Sequence, residues 1–181
     1  MFASVDVLVF TVLSLLLSNV AGVPTADPGI VVTDDVINAL GGGLIQNFSA
    51  SIDLESFLTN FITMDFTASN MLLLFEMTLN TVSLLAGVND TAFMSFNHTF
   101  DPPVVIPALG TADSGTIDNV LMVQGTINSL DIIPLAELDI LDMNVTIHVA
   151  SIGGVGGIPI TTNGLTETDV PTTYSLQTLS V

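Results

Sequence analysis

The chain has 181 residues, 18 Asp plus Glu, two His and no Lys, Arg or Cys, for a formal net charge of −18 at pH 7. A typical protein is about 25% charged, near half of it cationic, so ~20 Lys or Arg are expected here, and their absence removes every group that could neutralise phosphate. Nucleic acid and anionic lipid surfaces are therefore excluded as partners, as are disulfides, soft-metal sites and any salt bridge with Lys or Arg.

Stability must come from apolar burial and hydrogen bonds. The length fits one domain. Unpaired carboxylates repel one another at neutral pH, and protonation near pH ~4 relieves that repulsion, which predicts a chain suited to an acidic setting. It also offers no bond to a protease that cuts after Lys or Arg. Compositional drift in an acidic secretome is the alternative explanation.

The N-terminus reads as a secretory signal peptide over residues 1–22, with an apolar stretch from Val7 to Leu17 and cleavage near Ala21 or Gly22. Asp6 stands where a basic residue is usual, and a retained signal anchor is the other reading. Residues 23–44 read as an extended lead-in holding one short helix, with Thr33 as N-cap, Asp34 and Asp35 in the first turn and Gly41 as the stop. Residues 45–181 read as a single β-sandwich domain.

From Ile45 the period becomes two. Phe48, Ala50, Ile52 and Leu54 alternate with Asn47, Ser49, Ser51 and Asp53, and Ile62, Met64, Phe66 and Ala68 alternate with Thr63, Asp65, Thr67 and Ser69. Between them Leu54, Phe57, Leu58, Phe61 and Ile62 fit both strand and helix spacing; a continuing strand is preferred. The stretch from Phe66 to Gly87 carries one charge, Glu76. A membrane helix there would bury Glu76, Thr78, Asn80, Thr81 and Ser83 in hydrocarbon. A shift of phase at Asn80–Thr81 instead predicts two strand segments joined by a bulge or tight turn, with "GVND" turning next.

"TAFMSFNHTF" and the stretch from Asp142 to Val149 alternate again. "DPPVVIPALG" breaks the pattern with three prolines and a glycine, "VLMVQGTINSLDIIPL" reads as one or two strands, "SIGGVGGIPITTNG" as a Gly-rich turn into a short strand closed by "NG", and "VPTTYSLQ" as a last strand. About seven to nine short strands with frequent turn signals predict an all-β, immunoglobulin-like antiparallel β-sandwich.

Four sequons mark glycosylation sites: Asn47, Asn89, Asn97 and Asn144. Asn47, Asn97 and Asn144 fall on polar strand faces and Asn89 in a turn, as exposed acceptors should. The C-terminus lacks the apolar tail of a GPI signal.

"ITMDFTASNMLLLFEMTLNTVSLLAG" followed by "PPVVIPALGTADSG" resembles the late-embryogenesis-abundant β-sandwich family, whose domain is called the water-stress and hypersensitive-response domain. Asn70, Phe75 and Val104 to Pro107 carry the likeness, and Met71 stands where the family has a proline. The resemblance spans about residues 45–177. It implies a sandwich, a stress-protective or surface role and no catalytic residues, and related domains also occur in secreted or membrane-tethered fungal proteins of unknown function.

The residues themselves name no catalytic, cofactor or metal site. His98 and His148 lie on different predicted strands and do not pair by spacing. No Gly-x-Ser-x-Gly elbow occurs, and "IGGVGG" lacks dinucleotide-binding spacing. The loop from Asp113 to Asn119, Asp34 with Asp35, and Asp139 with Asp142 offer oxygen ligands for calcium, but none forms an EF-hand loop. The expected function is a secreted, acidic, non-catalytic glycoprotein with a structural or stress-protective role outside the cell or at its wall. The alternatives are a carrier of an apolar ligand and, last, a carboxylate-based hydrolase. The partner classes left open are a second copy near the pI of about 4.1, a cell-wall polymer and an apolar ligand.

Overall fold

The computed structural model describes residues 30–31 and 43–177. The leader with its cleavage point and the helix expected from Thr33 lie outside them. The expected immunoglobulin-like antiparallel sandwich is not what forms: the chain is mostly strand, but the strands close into a seven-stranded mixed β-barrel.

Among the described residues nine strands occur: β1 (Ile30–Val31), β2 (Ile45–Ile52), β3 (Phe61–Ser69), β4 (Glu76–Val88), β5 (Thr91–Ile106), β6 (Thr111–Asp113), β7 (Ile117–Met122), β8 (Glu137–Ser151) and β9 (Ile158–Leu176). Around the barrel the order is β9-β2-β3-β7-β5-β4-β8, with β8 returning to β9; β6 adds to β3 and β1 to β9.

Closure is the work of β9, which is 19 residues long. Its first part runs antiparallel to β8, from Ile158 opposite Val149 to Pro171 opposite Glu137. At Thr172 it begins a parallel pairing with β2, which continues from Phe48 opposite Thr172 to Ile52 opposite Leu176. One strand thus satisfies both edges of what would otherwise be an open sheet, and a closed barrel leaves no such edge.

Four sequence expectations fail. "NG" does not end a strand: Gly164, at φ +72°, makes a bulge in β9 and gives its N–H to Asn144 Oδ1 at 3.0 Å. The prolines Pro102 and Pro103 do not end β5, because they fall where its ladder with β4 jumps from Thr99–Thr81 to Val104–Leu79 and no N–H is needed. The segment after Met122 is helical, with α2 (Thr126–Ser129) running into a 3-10 turn (Leu130–Leu135). The ambiguous segment before β3 also turns helical, as α1 (Ser56–Thr59), stopped by Asn60 in the left-handed conformation. The stretch that could have been a membrane helix forms the end of β3, a loop and β4, one strand with a bulge between Leu79 and Thr81. Among the described residues no helix is long and apolar enough to cross a membrane.

Alternate residues point inward and fill the barrel. Phe66 meets Phe48 and Phe100 edge to face, at centroid distances of 6.4 and 6.3 Å. Leu79, Leu84, Met94, Met122, Leu138 and Ile140 complete the packing, all fully buried. The outward residues are Ser, Thr, Asn and Asp on most strands, unlike the apolar band of a membrane barrel.

Candidate functional surface

The four sequon asparagines lie on the outside. Asn47 and Asn97 are exposed on β2 and β5, and Asn89 is exposed in the β4–β5 turn, where Asn89 and Asp90 both take left-handed φ, at 49° and 61°. Asn144, on β8, is half-buried, its amide oxygen held by Gly164 N–H. Ser83 pairs with both Asn97 and Asn144, so these two acceptors are two strand spacings, about 10 Å, apart on one wall.

The histidines do not meet. His98 is half-buried with its ring edge-on to Phe100 at 4.6 Å, and it pairs with Val82; His148 pairs with Thr78 further along β4 and its Nδ1 lies 3.3 Å from Gly156 O. Among the described residues no three His, Asp or Glu gather as a metal site would require. In the Asp113–Asn119 loop, Asp113 accepts Gly115 N–H at 2.7 Å in a local turn, while Asp118 and Asn119 border a separate open groove with Asp53 and Glu55. Asp139 accepts the N–H of Asp169 at 3.1 Å.

Among the described residues, four carboxyls depart from their ordinary affinity for protons. Burial pushes Glu167 up, against the opposing hydrogen bond from Leu44 N–H at 2.7 Å. Burial also pushes Asp65 up, helped by the negative charge of Asp113. The Ser56 N–H draws Asp53 down, and the Gly154 N–H draws Glu76 down. Glu167 and Asp65 bind protons more tightly folded than unfolded. They stabilise the fold as pH falls towards their ordinary values of 4.5 and 3.8 and lose that contribution as pH rises through the raised values. Asp53 and Glu76 do the reverse: their contribution is complete above their ordinary values of 3.8 and 4.5 and is lost as pH falls through the lowered ones. No Lys or Arg offsets repulsion among the remaining carboxylates. The urea midpoint is therefore expected to rise from pH 7 to roughly pH 4.5 and to turn down below about pH 3.5. A steady fall from pH 7 to pH 4 would contradict this balance.

A cavity of about 30 Å³ lies among Ser69, Asn70, Met77, Val145 and Ile147, the space of a water. A larger opening, about 480 Å³, is a surface groove between Gly43–Ile45 and Leu165–Pro171, where β9 has not yet reached β2. Glu167 borders it with its carboxylate engaged by Leu44 N–H. The Tyr174 hydroxyl is buried without a hydrogen-bond partner among the described residues, and burial raises its pKa.

The sequence reading missed where exposed apolar side chains gather. Among the described residues, every large exposed one lies in or beside the connections at the two ends. At one end are Met71, Leu73, Leu74, Val105, Leu109, Ile152 and Val155. Three loops form this crown, and they touch: Leu109 N–H bonds to Leu72 O at 3.1 Å, Asn70 N–H to Gly110 O at 2.9 Å, and Gly154 N–H to Glu76 Oε1 at 2.8 Å. At the other end Leu54, Leu58, Phe61, Ile127 and Leu135 stand among Asp53, Glu55 and Asp131. There α1 and α2 are tied by Thr126 Oγ1 to Ser56 O at 2.6 Å and by Thr126 N–H to Asn60 Oδ1 at 3.0 Å. The runs "NMLLLF" and "IGGVGG" were the visible signal for the crown: aliphatic residues in segments that also turn.

No protein-family model matches the chain, and no curated protein is similar to it.

Proposed function

We propose that this chain is a secreted, N-glycosylated, non-catalytic protein with a structural or stress-protective role outside the cell or at its wall, and that it acts through its outer surface. The observation that supports this reading most is the contrast between a filled interior and apolar side chains collected at the barrel ends. A carrier needs an apolar cavity of several hundred Å³, and the cavity among Ser69, Asn70, Met77, Val145 and Ile147 holds about 30 Å³. A hydrolase needs two carboxyls set against each other across a substrate, and Glu167, a half-buried carboxyl, is engaged by backbone. With no Lys or Arg on the chain, the partners that fit are a neutral wall polymer and, near the pI of about 4.1 where repulsion between copies vanishes, a second copy.

Native mass spectrometry of the protein secreted by its own host tests the reading. The expected species is the processed chain carrying N-glycans and no other adduct. A stoichiometric lipid-like adduct would shift the function to carriage, and absence from the medium would remove the extracellular role.

A further inference from the structure

We propose that the uncharged crown is a self-association surface, through which two copies of this chain pack end to end as a head-to-head dimer. The proposal rests on the surface-acting reading above and names its partner.

Area is the first argument. The crown's large side chains range from Val105, 39% exposed, to Ile152, 86% exposed. Together they leave apolar surface on the order of several hundred Å², the scale of one side of a stable interface, about 800 Å², and at the upper limit of what monomers leave bare.

Charge points to this end and away from the other. The loop residues 70–75, 107–110 and 152–157 contain no titratable group, in a chain with 18 acidic residues. The carboxylate at their border, Glu76, is folded inward, its Oε1 accepting Ser151 Oγ–H at 2.9 Å and Gly154 N–H at 2.8 Å. The opposite end mixes its leucines with Asp53, Glu55 and Asp131, and a contact there would press like charges together with no Lys or Arg to pair them. One competent end gives a closed two-fold pair rather than a filament.

The sequons agree. Asn47, Asn97 and Asn144 lie on the wall and Asn89 at the other end, so no acceptor stands on the crown. The crown is also held before any partner arrives. The Asn70 side chain donates to Phe75 O at 2.9 Å and Ile106 O at 3.1 Å and accepts Leu72 N–H at 2.9 Å, which lowers the ordering cost of association.

A second copy fits better than a lipid surface. Gly153 and Gly156 take φ of +58° and +73° with open space around the missing Cβ, so the backbone beside Ile152 and Val155 is left uncovered by side chains. Polar backbone uncovered by side chains is costly against hydrocarbon and readily accommodated by another protein surface.

Sedimentation equilibrium of the full secreted chain, at its pI of about 4.1, tests the proposal. The expected mass is that of two chains, and a Leu74→Ser, Ile152→Ser variant raises the dissociation constant about tenfold or more. Leu58→Ser with Ile127→Ser, at the other end, leaves it unchanged. All four positions are exposed, and matching urea midpoints show that each variant folds. A monomer at roughly 100 μM, a dimer indifferent to the crown substitutions, or one lost through the other end overturns the proposal. So does a monomer that binds phosphatidylcholine vesicles, or one whose crown is shielded from hydrogen exchange by its own N-terminal residues. A secreted, glycosylated monomer sinks only the dimer; a chain that is not secreted, or carries a stoichiometric ligand, sinks the wider reading.

Discussion

Phe66→Ala is expected to cost about 3–5 kcal/mol of unfolding free energy in urea. Phe66 is completely buried and sits between Phe48 and Phe100, meeting each edge to face. Truncation removes the transfer energy of the ring, both aromatic contacts and the support of three strands at once, because Phe48 belongs to β2 and Phe100 to β5. A barrel wall collapses poorly into such a hole, since its strands are fixed by ladders on both sides. Phe66→Leu keeps most of the volume and is expected to cost about 1–2 kcal/mol, the difference reporting the aromatic geometry. A loss under about 1.5 kcal/mol for Phe66→Ala would mean that this ring is not at the centre of the core.

The second large effect is at Asn70, which is 2% exposed. Asn70→Ala leaves Phe75 O, Ile106 O and Leu72 N–H without their partner, and buried orphans of this kind cost about 1–3 kcal/mol each when nothing replaces the bond. A total of about 3–4 kcal/mol is expected, because the crown can relax and admit water to some of them. Asn70→Asp distinguishes hydrogen bonding from shape. It keeps the outline, removes both N–H donors, and adds a buried charge where no cation can compensate. Its cost is expected to exceed that of alanine at pH 7 and to shrink towards pH 4 as the carboxyl takes up a proton. Equal urea midpoints for Asn70→Ala and the unaltered chain would show that the loops hold themselves without this amide.

Much of the wall was legible in the sequence because a strand with one buried face writes its period directly. Phe48, Ala50 and Ile52 in β2, Met64, Phe66 and Ala68 in β3, and Met143, Val145 and Ile147 in β8 all point inward as the alternation predicts. Even the bulge in β4 left a mark, the change of phase at Asn80. The closure left none. Val170 and Thr172 alternate with polar neighbours whether their strand ends a sandwich or joins a barrel, and the parallel pairing of Thr172 with Phe48 depends on residues more than a hundred positions apart. Gly164 and Asp169, with φ of +72° and +57°, look like turns but bend a continuous strand. A local signal for α1 was present and outweighed: Asp53 and Ser56 exchange hydrogen bonds, Ser56 N–H to Asp53 Oδ1 at 2.8 Å and Asp53 N–H to Ser56 Oγ at 3.2 Å, a reciprocal pairing of the capping kind. The alternation of Leu54 with its neighbours pointed to a strand instead.

The candidate surface was legible in part. The sequons and the missing cations can be read directly. The crown cannot, because "NMLLLF", "PALG" and "IGGVGG" lie far apart in the chain and each alone reads as a turn or an ordinary core segment. Only closure of the barrel brings them to one end.

Closure is therefore the claim on which the filled interior, the polar wall and the crown all depend, and the natural lack of Cys allows a clean test of it. Ser51 on β2 and Ser175 on β9 are parallel register partners outside every sequon. Neighbouring strands place Cα atoms about 5 Å apart, within disulfide range. With both residues changed to Cys, the account predicts that mild oxidation of the folded monomer forms an intramolecular bond, read as the loss of two hydrogens in the intact mass. The bond also stabilises the fold by up to about 4–5 kcal/mol in chain-entropy terms, read as a higher urea midpoint. Two thiols that stay free, or that link only between molecules, would contradict a β9 that closes the barrel onto β2.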